Sequence, residues 1–255
     1  LEMECLALIK VFLTDVFNVD SSSKSLILEF SGHSNRKYAR LRHKFTSMDS
    51  VTVCTQLYFP PKCSGISTIF SYSIPSYINE FQLRANLERG KPVRLALLIH
   101  GNHGSYVEAF KHDESWHSVC VSWSQDGGHW ALYANGDQVF VGEGLNSNDS
   151  IGPDGLFIIG QEQDSFGGSF KSAESLCGSI TELHIWNRVL NFSEIRTMEK
   201  QCSPFSSGLV FKWTNIHTLS NLLVTCRLPS SLKNLQKPSC NWETSGLLKV
   251  LVNVL

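Results

Sequence analysis

The chain has 255 residues, which is enough for one large β domain or two smaller domains with a sizeable buried core. Its 22 basic and 23 acidic residues give a formal net charge of −1, so no broad positive field would attract nucleic acid or an anionic membrane. The 8 cysteines are widely spaced and include no CxxC pair, which favours disulfides over a zinc or redox site. Any partner must therefore be recognised by a local site.

The N-terminal segment, residues 1–24, contains the apolar stretch "MECLALIKVFL". It is similar to the remains of a signal peptide, although Lys10 and Asp15 interrupt its apolar character. No apolar run reaches the roughly 18 residues that a membrane-spanning helix needs, so we expect no membrane span in this chain. Glycosylation sequons at Asn148 and Asn191, together with the cysteines, predict an extracellular glycoprotein, either secreted or an ectodomain.

Short runs of β-type residues recur between turn signals and predict an all-β fold of antiparallel sheets, a sandwich or a barrel. One hairpin is marked by Asn135 and Gly136, because this dipeptide tolerates the positive φ angles of a type I′ turn. The predicted strands are, in chain order, "SLILEF", "YARL", "VTVCTQLYF", "STIFSY", "FQLRANL", "VRLALLIH", "SVCVSW", "HWALYANG", "GLFIIG" and "ITELHIW".

The ninth of these runs leads directly into an acidic, glycine-rich loop, "GQEQDSFGGSF", residues 160–170. Glu162 and Asp164 are two apart on a chain that has just left a strand, so both carboxylates can point to one side. Calcium takes six to eight oxygen ligands, and Gln163 could add its main-chain carbonyl and Asn79 a side-chain oxygen from another loop. The alternative is an exposed acidic loop without an ion, which "EQD" alone would favour.

One segment is predicted to be helical, "NFSEIRTMEKQC". Asn191 can cap its first N–H groups, Glu194 can complete a capping box, and Ile195 and Met198 share a face. Because Asn191 is also a sequon residue, a glycan there would compete with the capping role. Beyond Cys226 the composition changes to Ser, Lys, Pro and Asn without periodicity, which predicts a linker or poorly ordered tail.

These blocks resemble the pentraxins, a family with a flattened β jelly roll that binds calcium. The stretch "IIGQEQDSFGGSFKSAESLCGSITELHIWNRVLNFSEI" is similar to the family's calcium loop, following strand and helix, and "INEF" to a calcium-binding turn. The resemblance covers roughly Ser25 to Thr225. It implies a two-sheet antiparallel jelly-roll sandwich with one short helix on one face. We therefore predict a pentraxin-like domain over residues 25–226, with 1–24 before it and a tail over 227–255.

The resemblance also implies the site residues. The expected calcium ligands are Asn79, Glu162, Gln163, Asp164 and Glu174. "VTVCTQLYF" and "WHSVCVSW" are similar to the two strands that share the family's disulfide, which pairs Cys54 with Cys120; the alternative is two buried free thiols. The other six cysteines allow 15 connectivities. Order along the chain suggests Cys177 with Cys202, and Cys226 with Cys240.

Four departures from the family pattern change the expected chemistry. Ile78 replaces an aspartate before Asn79, Lys171 replaces a glutamate ligand and Glu174 a glutamine ligand. Arg84 stands where phosphocholine-binding members place an aromatic ring. A lysine ammonium has no acceptor lone pair, so we expect Lys171 to pair with the acidic residues where a second ion would bind. One calcium ion per chain follows.

The residues and the resemblance raise three function classes. The first is a lectin-like recognition domain that binds calcium and, through it, an anionic or polar small molecule, glycan or protein, as a monomer or a homo-oligomer. The second is an adhesion-receptor ectodomain that contacts cells or matrix. The third is a jelly-roll glycoside hydrolase, but its additional carboxylate is missing because Phe166 and Gly167 occupy those positions. We therefore expect no enzymatic activity. The expected core includes Trp123, Trp186 and Trp213.

Overall fold

A computed structural model describes residues 27–201 and 203–213, together with the backbone of residues 219–220 and 225–227. Residues 1–24 and almost all of the predicted tail lie outside this part of the chain; Arg227 ends the last strand. Within the described residues, no helix has both the length and the apolar character required to span a bilayer.

The described residues form sixteen strands and one α-helix. The helix, α1, spans Phe192–Gln201. The strands are β1 Ile27–Phe30, β2 Ala39–Leu41, β3 Ser50–Tyr58, β4 Gly65–Ile74, β5 Tyr77–Leu87, β6 Val93–Ile99, β7 Asn102–His103, β8 Val107–Phe110, β9 Trp116–Ser124, β10 His129–Ala134, β11 Asp137–Gly142, β12 Leu156–Ile159, β13 Gly178–Trp186, β14 Leu209–Phe211, β15 Leu219–Ser220 and β16 Thr225–Arg227.

The strands form two eight-stranded sheets. The first sheet has the order β11-β10-β9-β3-β13-β1-β16, with β14 also beside β13. The second sheet has the order β15-β2-β12-β4-β5-β6-β7, with β8 also beside β6. The strand pairs are antiparallel, for example β3 with β9 and β4 with β5. The predicted jelly-roll sandwich is confirmed, and so is the hairpin whose turn residues, Asn135 and Gly136, have φ angles of 54° and 81°.

The core lies between the sheets because each strand alternates its inward and outward side chains. In β5, Phe81, Leu83 and Ala85 are buried in the core, while the intervening Gln82 and Arg84 lie on the opposite side of the strand. The three predicted core tryptophans are all at most 2% exposed. The sandwich therefore uses its apolar residues inside and leaves polar residues on the outer face of the second sheet.

Helix α1 covers the outer face of the first sheet. Its Ile195 packs with Trp186 and Leu190 over the Cys54–Cys120 disulfide. The capping box is formed: the Asn191 side-chain oxygen accepts from the Glu194 N–H at 2.9 Å, and the Glu194 carboxylate accepts from the Asn191 N–H at 2.9 Å. These bonds use the Asn191 oxygen and leave its amide nitrogen, the atom to which an N-glycan attaches, outside the cap.

Two disulfides join the described residues. One connects Cys54 in β3 to Cys120 in β9, which are opposite each other in the first sheet. The other connects Cys63 to Cys177 across a sequence separation of 114 residues. The expected Cys177–Cys202 pair is therefore wrong, because order along the chain carries no information about which loops meet in space. The suggested Cys226–Cys240 pair lies outside the described residues.

We predict that proteolysis of the unreduced protein yields one peptide pair joining Cys54 to Cys120 and another joining Cys63 to Cys177. Replacing the second pair with alanines should lower the free energy of unfolding by about 2–5 kcal/mol, because the bridge closes a long loop. Mass spectrometry and thermal unfolding measure the two effects. A peptide joining Cys177 to Cys202 in folded protein would contradict this arrangement.

Candidate metal centre

The chain from Gly160 to Leu176, which contains the acidic loop, forms a closed loop across the outer face of the second sheet. It begins at Gly160, whose N–H donates to the Ile69 carbonyl at 3.0 Å, and it returns where the Leu176 N–H donates to the Gly160 carbonyl at 2.9 Å. Gly160 has a φ of +89°, and a Cβ there would lie 2.2 Å from the Phe30 ring. Glycine is therefore required at the point where the chain leaves β12.

Two glutamines fasten this loop, Gln163 to the second sheet and Gln161 to the connection between β1 and β2. The Gln163 amide nitrogen donates to the Ser71 and Leu156 carbonyls at 3.2 and 3.1 Å, and its oxygen accepts from the Ser73 hydroxyl at 2.6 Å. The Gln161 amide nitrogen donates to the Ser34 and Lys37 carbonyls at 2.6 and 2.7 Å. Both side chains are fully buried, so the segment between them is held rigidly.

Three carboxylates meet on this rigid base. Glu162, Asp164 and Glu174 each offer an oxygen within 4.8 Å of the others; we call them the acidic triad. Glu162 is 4% exposed, and its Oε2 atom is buried without a hydrogen-bond partner. Asp164 and Glu174 are more open to solvent. A buried carboxylate oxygen without a partner is costly, and it marks a position that suits a cation.

Two cationic side chains also face the triad. The Arg84 guanidinium on β5 lies 3.4 Å from a Glu162 oxygen and 3.5 Å from a Glu174 oxygen. The Lys171 ammonium lies 2.9 Å from an Asp164 oxygen and 4.0 Å from a Glu174 oxygen. The expected pairing of Lys171 with the acidic residues is confirmed. The three carboxylates and two cations leave the cluster with a formal charge of −1.

A chain of polar contacts links Asn79 to this cluster. The Gln82 amide nitrogen donates to the Asn79 side-chain oxygen at 2.7 Å, and the Gln82 oxygen accepts from Arg84 Nε at 3.1 Å. The Asn79 oxygen retains a second lone pair. Ile78, which precedes it in β5, contributes no oxygen from its side chain.

Burial raises the pKa of Glu162 above its ordinary value, and the nearby Asp164 charge raises it further. Arg84 opposes this shift, and Glu174 adds to it. The hydrogen bond from Lys171 to Asp164 raises the pKa of the lysine. The electrostatics of the site therefore disfavour the ionised form of Glu162 unless more positive charge is present.

Of the ligands predicted from the sequence, some carboxylates meet in the triad, whereas one side chain bonds to the sheet. Glu162, Asp164 and Glu174 come together, whereas the Gln163 side chain is committed to the sheet, which leaves its main-chain carbonyl as the atom it can offer a metal. Pairing of Arg84 with the triad was not predicted. The sequence feature that could have indicated this pairing is the alternation in β5. It puts Gln82 and Arg84 on the polar face of the strand, and the loop covers that face.

The donor set has the chemistry and spacing that calcium requires. Calcium–oxygen distances of about 2.4 Å allow two ligand oxygens to lie up to roughly 4.8 Å apart across the ion, and the triad oxygens satisfy this limit. Carboxylate and carbonyl oxygens are the ligands that calcium prefers. Calcium would supply the positive charge that the buried Glu162 carboxylate needs.

Comparison with known proteins agrees with this architecture. A sequence profile described as the Pentaxin family matches residues 26–223. The chain belongs to the Pentaxin family. It is 35% identical to human adhesion G protein-coupled receptor D2 over 187 residues, which are 73% of this pentaxin chain and 19% of the receptor. It is 31% identical to human neuronal pentraxin-2 over 183 residues, 71% of this chain and 40% of that protein. The chain thus spans less than half the length of these relatives.

Solved structures share the pentaxin fold. A native heptameric SAP-like pentraxin from Limulus polyphemus superposes with a TM-score of 0.67 at 24% identity, covering 83% of this chain and 94% of that one. The full extracellular region of zebrafish Gpr126/Adgrg6 superposes with a TM-score of 0.57 at 16% identity, covering 74% of this chain and 24% of that one. At these identities the likeness establishes the fold.

We predict that Glu162→Gln raises the melting temperature in chelator at pH 7. The pKa of Glu162 is higher in the folded state than in the unfolded state, so the protonated side chain favours the folded state. This stabilisation is present in full below the unfolded pKa and is lost as the pH rises through the folded pKa. The neutral amide escapes this loss, so a gain of roughly a few degrees is expected. Thermal unfolding from pH 4 to 8 measures it.

Millimolar calcium should make the melting temperature of the parent higher than that of Glu162→Gln. The ion stabilises the folded parent by mass action and should leave Glu162→Gln almost unchanged. Glu143→Gln, at an exposed carboxylate outside the triad, is the matched control. If calcium leaves the parent melting curve unchanged, the triad is not a calcium site.

Proposed function

We propose that this chain is an extracellular recognition domain that binds one calcium ion at the acidic triad and an anionic or polar ligand beside it, without turning the ligand over. The observation that carries the proposal is the buried, unpartnered Oε2 atom of Glu162 within a triad of suitable spacing. The same loop closely follows the family's calcium loop in sequence. Asn79 and the Gln163 carbonyl complete the proposed ligand set.

The proposed number of ions follows from Lys171. Its ammonium lies within 4.0 Å of two triad residues and can only donate hydrogen bonds, so it occupies space near the triad without offering a ligand. Beginning from a formal charge of −1, one Ca²⁺ brings the cluster to +1 and a second would bring it to +3. A second ion would therefore be repelled by a cluster that is already positive, whereas the first ion is attracted by a negative one. The repulsion is strong because the site is partly buried.

The proposed ligand is anionic or polar because the loaded site would be positive. Lys171 is 61% exposed on its side chain, so it can reach a ligand without rearrangement of the loop. The ligand classes are a small molecule, a glycan or a protein. A homo-oligomer would raise avidity by presenting several such sites, and sedimentation velocity measures its formation.

Recognition without catalysis is favoured by the composition of the site. Hydrolysis of a glycosidic bond requires paired carboxyl groups with separate acid and base or nucleophile roles. After Asp164 the loop supplies Phe166 and Gly167, and the triad carboxylates are engaged by Arg84 and Lys171. An extracellular location is supported by the two disulfides, since such bridges persist in oxidising compartments.

The second candidate is an adhesion-receptor ectodomain module that contacts cells or matrix. It is favoured by the 35% identity to human adhesion G protein-coupled receptor D2 and by the likeness to the zebrafish receptor's extracellular region. Sequencing the transcript beyond the codon for Leu255 distinguishes the candidates. A long stalk followed by transmembrane helices supports the receptor, and a nearby stop codon supports a secreted protein.

We predict that calorimetry detects one calcium ion per chain in the parent and two in Lys171→Glu. The variant removes the positive charge and supplies a carboxylate where the family has one. Lys44→Glu, which makes the same charge change at an exposed position after β2, should still bind one ion. Two ions in the parent would mean that Lys171 leaves the site and would contradict the single-ion proposal.

We further predict that Asp164→Asn weakens calcium binding about tenfold or more, because it keeps the shape and removes one ligand charge. The melting temperature in chelator should stay close to that of the parent, since Asp164 is partly exposed. Asp137→Asn, at an exposed position in β11, is the control and should bind as the parent does. Unchanged calcium affinity in Asp164→Asn would remove this residue from the site.

A further inference from the structure

A surface cleft lies where three loops meet at one end of the sandwich. They are the loops after β3, after β5 and after β8, which converge because the end of β3 pairs with the start of β9 and the start of β4 pairs with the end of β5. They enclose a cleft of about 460 Å³ that shares no residue with the acidic triad. We call it the basic cleft; its lining residues are Pro61, Lys62, Ser64, Arg89, Gly90 and His112.

The basic cleft carries unneutralised positive charge. Lys62 and Arg89 are exposed, and within the described part of the chain neither forms an ion pair. Among the acidic residues of these loops, Glu88 is already engaged by Lys91 and Arg94, and Glu114 is exposed after Asp113. Asp113, beside His112, pairs with His117 at 2.9 Å. The two lining cations are therefore available to a ligand.

Contacts within the protein hold the loop that carries Lys62, and the turn that carries Arg89 is closed by the Lys91 N–H, which donates to the Glu88 carbonyl at 3.1 Å. The Cys63–Cys177 disulfide ties the first loop to the start of β13. The Cys63 N–H and His112 Nε2 both contact the Pro60 carbonyl, at 2.9 and 3.1 Å, and His33 Nε2 lies 2.9 Å from the Ser64 carbonyl. A site that is already ordered loses less conformational entropy on binding.

We propose that the basic cleft binds a sulfated glycan independently of calcium. Arginine offers a planar fork that matches a sulfate, and lysine adds a compact point charge, so Lys62 and Arg89 on separate loops suit successive anionic groups of one chain. The lining lacks Phe, Tyr and Trp on which a nucleobase could stack, so charge is its means of recognition. The chain as a whole has a formal charge of −1, so the proposed attraction depends on the local charge of the cleft.

The test uses a heparin-derived octasaccharide with the intact chain in chelator, measured by calorimetry at two salt concentrations. The parent should bind, more weakly at high salt, and Lys62→Ala/Arg89→Ala should lose about tenfold or more in affinity because two charged contacts are removed. The matched control is Arg42→Ala/Lys44→Ala, which removes the same charge from an exposed segment after β2 and should stay within about twofold of the parent.

Three outcomes would overturn the proposal. Binding that vanishes in chelator would assign the octasaccharide to the acidic triad. Equal losses in the control and the cleft variant would mean attraction by diffuse surface charge. Equal affinity for a single-stranded DNA oligonucleotide of the same charge would mean that the cleft does not select a sulfated glycan. Since the cleft variant leaves the triad intact, its calcium stoichiometry should equal that of the parent, which separates failure here from failure of the proposed calcium site.

Discussion

The amide side chains of Gln161 and Gln163 determine where the Glu162 carboxylate of the site lies. Both are fully buried, and their nitrogens bond to main-chain carbonyls that only one placement of the loop brings within reach. A shift of the loop by one residue would bury a carboxylate on the polar face of the sheet and leave those carbonyls without donors, which is costly. Glu162 is thus held in a buried position by its neighbours, whatever its own electrostatic preference.

That preference explains why Arg84 belongs to the site. A carboxylate at 4% exposure needs a compensating charge, and the guanidinium 3.4 Å away supplies part of it while reaching Glu174 as well. Removing Arg84 would leave Glu162 as an uncompensated buried charge, whereas Arg84 keeps Glu174 as a partner if the charge of Glu162 is removed. An incoming cation and Arg84 therefore compete for Glu162, so the apparent affinity of the site for a metal depends on how easily the arginine moves away.

The sequence predicted the strands that alternate clearly, the hairpin at Asn135 and Gly136, the capped helix and the membership of Glu162 and Asp164 in one cluster. It missed β7, β8, β14, β15 and β16, because strands of two to four residues carry too little periodicity. The Cys63–Cys177 bridge was also missed, since its partners are brought together by the crossing of the acidic loop. The roles of Gln161, Gln163 and Arg84 depend on which face a loop covers, and a local pattern does not contain that information.

The departures at Ile78, Lys171, Glu174 and Arg84 form one coherent electrostatic change. In the family pattern that the loop resembles, four carboxylates would balance two calcium ions. Here one carboxylate is lost at Ile78, the one lost at Lys171 is replaced at Glu174, and Lys171 and Arg84 add two positive charges within 4.0 Å of the triad. Ile78, Lys171 and Arg84 lower the need for metal, whereas Glu174 restores one negative charge, so the net change moves much of the ionic neutralisation from calcium to side chains. A ligand at this site would then meet fixed cations whose positions the fold controls, in addition to an ion whose occupancy depends on its concentration.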